Sequence, residues 1–110
     1  MSAAYFSHYT DHEVDWYFDP NIKPQAVGEG SNLALPKRLN DIFGFGARDF
    51  SKIDGTVKTG IYKENWGKGM EPFLHDFPSP LNAIHFSAPK LQDYVLERLQ
   101  GRVNVKEENV

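Results

Sequence analysis

Cysteine is absent from the 110 residues, so neither a disulfide framework nor a thiolate metal site is available. A basic excess is also lacking. Fifteen acids stand against twelve lysines and arginines, a formal charge of −3, which argues against a broad nucleic-acid footprint. No apolar run approaches the length of a membrane span. The opening MSAAYFSHYT has no basic n-region and no long apolar core, so it does not read as a signal peptide. Internal repeats and low-complexity stretches are missing too. A cytoplasmic setting is the default expectation.

What is present fits one small globular domain over residues 1–110. Apolar residues make up 40% and charged residues 25%, and a chain of this length builds one core rather than two. Residues 2–10 read as a short helix that begins without an N-cap or a preceding turn signal. EVDWYF, residues 13–18, alternates Val14, Trp16 and Phe18 with Glu13, Asp15 and Tyr17, a strand with one buried face closed by Asp19-Pro20. Ser31 or Asn32 caps a helix through Leu33, Leu35, Leu39, Ile42 and Phe43, and Gly44 stops it. A short helical segment runs to Lys52, and residues 56–66 read as one strand. Three prolines and two glycines make residues 67–83 a loop. Ser87 caps a helix carrying Leu91, Tyr94, Val95 and Leu99, and the chain ends in a strand with Val103 and Val105. The order α-β-α-β-α-β predicts an α/β layered fold.

Several motifs have a plain reading beside a functional one. GEGSNL holds Gly28 and Gly30 but places Leu33 where a dinucleotide fingerprint wants a third glycine, so a capped turn explains it without a phosphate. Asp19 ends a strand, as ribose-binding acids do and as many turn-forming aspartates also do. His8 and His12 are four apart, and HEVDW starts like a zincin motif but has Trp16 in place of the second histidine, so no metal site is expected. Lys58 alternates with Val57 and Thr59. If Val57 faces the core, Lys58 faces solvent or a cavity, and spacing alone favours solvent.

Taken in order, these segments resemble the flavin-dependent halogenases of the tryptophan halogenase family. MSAAYFSHY resembles the first helix of that family's FAD domain, and EVDWYFDP its second strand with a terminal acid. AVGEGSN is similar to the family's V-G-E-[AS]-[TS] segment, GTVKTGIYKENW to the stretch that holds its catalytic lysine, and NAIHFSAPKLQDYVLERL to the helix start after its long loop. The resemblance implies a partial FAD-binding domain, Rossmann-like and three-layered, without its first strand and glycine-rich turn. It places Lys58 as the catalytic lysine, Asp19 at the ribose, and Val27, Gly28, Glu29 and Gly30 beside the flavin. In that family reduced FAD and oxygen turn halide into hypohalous acid, which passes to the lysine and on to an electron-rich aromatic. The implied partners are a small aromatic substrate, a halide and a flavin reductase, with neither nucleic acid nor membrane. The isolated chain is expected to bind FAD weakly or not at all, to be inactive, and to self-associate through an exposed sheet edge. A flavoprotein monooxygenase fragment, or a small remnant-fold protein that works by binding a partner, are the alternatives.

Overall fold

The computed structural model describes residues 1–22, 28–78 and 82–108. Three helices, a 3-10 segment and seven short strands follow one another in the order α1 (Ser2–Tyr9), β1 (Asp15–Phe18), β2 (Gly28–Gly30), α2 (Ala34–Phe43), the 3-10 helix (Ala47–Ile53), β3 (Thr56–Lys58), β4 (Gly60–Lys63), β5 (Phe73–Asp76), β6 (Ala83–Ser87), α3 (Ala88–Leu99) and β7 (Asn104–Glu107). The fold is mixed α/β. β1 and β7 pair in parallel from Asp15↔Asn104 to Phe18↔Glu107. A parallel pair cannot be closed by a tight turn, so the intervening chain is the crossover. Within it lie a three-stranded antiparallel sheet, β2-β6-β3, and an antiparallel hairpin, β4-β5.

Burial follows from side-chain periodicity. Leu39 and Ile42 lie three apart on α2, and Tyr94, Val95 and Leu99 share one side of α3; all are buried. Between them β6 inserts Ile84 and Phe86, 1% and 8% exposed. Ala4 is fully buried on α1, where a larger residue would hold that helix away from the core. Phe45 meets Phe50 and Tyr94 edge-on, with ring centroids 5.4 and 5.6 Å apart. On β1, Trp16 and Phe18 are half-buried, as is Val14 just before it, and Asp15 and Tyr17 are exposed, the expected alternation.

The caps sharpen the sequence reading. Of Ser31 and Asn32, it is Asn32 that caps α2, its Oδ1 accepting from the N–H groups of Ala34 and Leu35 at 3.1 Å each. Ser31 ties β2 to β6 instead: its N–H donates to the Ile84 carbonyl at 2.8 Å, and its Oγ accepts from the Ile84 N–H at 3.0 Å. Gly44 ends α2 at φ +66°, a left-handed stop that glycine adopts without strain. Ser87 caps α3, with Pro89 in the first turn.

Four expectations are corrected. The strand expected over 56–66 is two strands: β3 pairs with β6 and β4 with β5, so the chain changes partners at Thr59. The expected loop over 67–83 contains β5 and enters β6. Gly28–Gly30, read as a turn, is a strand on β6. α1 ends at Tyr9, so His12 does not share its face with His8.

The 3-10 helix carries a buried acid. Asp49, 3% exposed, accepts from Lys52 Nζ at 2.9 Å and from the Gly46 N–H at 3.1 Å, and an Arg98 nitrogen from α3 stands 3.8 Å away. The hydrogen bond from Lys52, then that from Gly46, holds the Asp49 carboxyl below the ordinary carboxylate range against the opposing effect of burial. Because the folded-state value is the depressed one, its stabilisation is present above the unfolded-state value, near pH 4, and is lost as pH falls through the folded value. The melting temperature of the wild type is therefore expected to drop more steeply than that of Asp49→Asn between neutral pH and about pH 3. Parallel melting curves across that range would contradict the assignment.

Candidate functional site

The three-stranded sheet brings three of the predicted residues together. Register places Gly30, His85 and Thr56 side by side on β2, β6 and β3, and Gly28 opposite Ser87. Successive residues on a strand point to opposite faces. Ile84 and Phe86 enter the core, so His85 points the other way, together with Gly28, Gly30, Thr56 and Lys58. Lys58 is half-buried, whereas Val57 is 53% exposed. Val57, level with Ile84, does lie on the core side of the sheet, yet of the two residues it is the lysine that is covered. Val57 sits at the outer strand of a three-stranded sheet, where the helices packed on Ile84 do not cover it.

Why the lysine is covered follows from the chain after it. Thr59 leaves β3, and its carbonyl accepts from the Phe77 N–H at 2.9 Å. That bond carries the Phe77 ring back over β3, with its centroid 5.6 Å from Lys58 Nζ, within the range of a cation–π contact. At Gly30 an added Cβ would lie 3.2 Å from the same nitrogen, so the amine occupies the space that a side chain there would take. Among the described residues no carboxylate lies within ion-pairing distance of Lys58. Phe77 and His85 were not singled out from sequence; the contact depends on a hairpin hidden behind prolines.

Gly60 makes that return path possible. An added Cβ at Gly60 would stand 2.8 Å from the His75 carbonyl oxygen, a backbone atom that cannot swing aside. The hairpin that follows packs chiefly on itself. Tyr62, Trp66, Met70 and Leu74 are all more than half exposed.

The other predicted residues sit elsewhere. Glu29 lies on the opposite face of β2 and lines an open cavity of about 460 Å³ with Met1, Trp16, Leu35, Phe86 and Leu91 among its walls. Asp19 ends β1 in the separate two-stranded sheet, and its Oδ1 accepts from the Asn21 N–H at 2.8 Å, the turn-forming role that strand ends often use. Val27 falls outside the described residues. Among the described residues no group of three potential metal-ligating side chains forms, and no helix is long and apolar enough to cross a membrane.

This architecture is that of flavin-dependent halogenase structures. A flavin-dependent halogenase from Xanthomonas campestris superposes with a TM-score of 0.85 at 15% identity, over 99% of this chain and 32% of that one. A tryptophan 6-halogenase from Streptomyces toxytricini gives 0.78 at 12% identity, over 99% and 32%. A tryptophan halogenase from Shewanella frigidimarina gives 0.74 at 15% identity, over 94% and 30%. The chain thus spans about a third of the length of the solved structures it matches. No curated protein matches its sequence. The family model for tryptophan halogenases matches residues 1–107, and the chain belongs to that family.

Proposed function

We propose that this chain is the lysine-bearing part of an FAD-dependent halogenase, a single domain-sized piece in which Lys58 directs halogen onto an electron-rich aromatic such as tryptophan or another indole. The observation that carries the reading is the placement of the Lys58 amine, half-buried between Gly30 and the face of Phe77 with no carboxylate partner among the described residues. A lysine neutralised by an acid would have its donors engaged. This one keeps N–H groups available for an incoming oxygen.

The residues present fit part of FAD. Asp19 would hold a ribose hydroxyl, and Gly28, Glu29 and Gly30 of β2, with Val27 before them, would lie along the flavin. Among the described residues the 460 Å³ cavity beside β2 is lined by Glu29 and by no basic side chain that could meet a diphosphate. When bound and reduced by a flavin reductase, FAD supplies the oxygen chemistry that converts halide to hypohalous acid. Lys58 then donates a hydrogen bond to the oxidant's oxygen, drawing electron density from the halogen and fixing its direction. As the aromatic carbon forms its bond to halogen, the oxygen–halogen bond breaks, the departing oxygen takes a proton along the Lys58 hydrogen bond and leaves as water, and the ring proton is then lost, which restores the aromatic ring and returns a proton to the lysine. Holding oxidant and ring in one orientation converts a random encounter into a directed one. Phe77 and the sheet keep bulk water from one side of the amine.

Two results test this. The isolated chain is expected to bind FAD more weakly than about 1 μM by calorimetry, because among the described residues the cavity offers the diphosphate no basic side chain, and to yield no halogenated tryptophan. Spliced in place of the matching third of the Xanthomonas campestris halogenase, the same chain is expected to bind FAD and halogenate. A chimera that folds and binds FAD yet halogenates no aromatic would overturn the reading.

A further inference from the structure

We propose that His85 is a positioning residue for the Lys58 amine, and that the two side chains meet over the bare backbone of Gly30. What the amine is for rests on the reading above; the pairing itself rests on geometry. Gly30, His85 and Thr56 are consecutive partners across β2, β6 and β3, and Lys58 lies two residues beyond Thr56 on the same face. A Cβ added at Gly30 would stand 3.2 Å from Lys58 Nζ, 3.5 Å from His85 Nδ1 and 3.6 Å from His85 Cε1. The lysine head and one ring nitrogen therefore converge on a single spot, open only because residue 30 has no side chain.

The chemistry of the two heads is complementary. The lysine head offers donors and no acceptor, and the Nδ1 of an Nε2–H imidazole is an acceptor. No carboxylate competes for the amine among the described residues. Small torsional changes in the long lysine stem bring Nζ and Nδ1 into hydrogen-bonding distance. His85 then fixes the amine from the β6 side while Phe77 bounds it from the other. One imidazole bond leaves two of the three lysine donors for a second ligand. A bidentate carboxylate would occupy more of them and add an opposing charge.

The test uses the full 110-residue chain. Limited acetylation with acetic anhydride at fixed pH is followed residue by residue by peptide mass spectrometry. Lys106, exposed on β7, serves as the internal reference. His85→Phe removes the acceptor, and because His85 is exposed the exchange leaves the core untouched. Relative to Lys106, acetylation of Lys58 is expected to rise about threefold to tenfold in His85→Phe, the range that one hydrogen bond of ordinary net strength protects. It is expected to stay near wild type in His85→Gln, whose amide oxygen still accepts. Gly30→Ala keeps His85 but fills the shared spot, and is expected to raise the same ratio. A Lys58-to-Lys106 ratio unchanged in both His85→Phe and Gly30→Ala would overturn the pairing. That outcome would leave a catalytic Lys58 standing, whereas a chimera that halogenates equally well without Lys58 would overturn the catalytic reading and leave the pairing intact.

Discussion

Ile84→Ala is expected to cost about 2–5 kcal/mol, the range for emptying a buried aliphatic site whose surroundings cannot collapse. Ile84 is 1% exposed on β6, the central strand of its sheet. Its side chain belongs to the cluster built from Leu39 and Ile42 of α2 and Val95 and Leu99 of α3. Its backbone is pinned as well, since both its N–H and its carbonyl are bonded to Ser31. A strand held at that point cannot slide to fill the void. A chain of 110 residues is stable by about 5–15 kcal/mol in all, so this one exchange removes a large share. Because β6 also carries His85 on its other face, the same loss loosens the sheet under Lys58. Urea unfolding at 25 °C measures the cost. A midpoint close to wild type with an unchanged m-value would contradict the packing described for β6.

Much of the fold is legible in the residues. α1, α2 and α3 announce themselves through apolar spacing and, for the last two, through Asn32, Gly44 and Ser87 at their ends. β1 shows its buried side by strict alternation. The strands that escape notice do so for physical reasons. β2 is Gly-Glu-Gly, with no apolar pattern, and becomes a strand only because β6 supplies the ladder. β5 is exposed along all four residues, so no alternation marks it, and prolines flank it. β6 has a clear pattern, Ile84 and Phe86 in and His85 out, but it runs directly into α3 and reads as that helix's beginning.

Of the candidate site, Lys58 and Gly30 stand out by resemblance, yet their proximity does not, because it depends on β2 and β3 flanking a strand more than twenty residues further along. The exposure of Val57 and the cover over Lys58 have a similar origin. Period-two reasoning assigns opposite faces correctly but leaves open which face is covered, and here the return of Phe77 decides it.

The second large effect is on chemistry rather than stability. Lys58→Met keeps most of the unbranched apolar stem, so the sheet persists, while the cation facing Phe77 and every N–H donor are removed. Placed in the chimera with the Xanthomonas campestris halogenase, this variant is expected to lose about 10²–10³-fold in aromatic halogenation, the cost of deleting one preorganised donor at a reacting oxygen. Steps that do not involve the amine, flavin oxidation by oxygen among them, are expected to continue. Hypohalous acid then leaves undirected. Because Gly28 and Gly30 share the face of Lys58, flavin oxidation is followed in the same assay, and its persistence separates loss of the directing donor from loss of cofactor.

The most direct measurement is therefore a ratio in that chimera: halogenated aromatic product formed per reduced flavin oxidised, with released oxidant scavenged by a dye. A directing Lys58 amine predicts a high ratio with lysine at position 58, and a collapse with methionine in which dye bleaching rises as product falls. Equal product yield from both chimeras, at equal flavin oxidation, would contradict it.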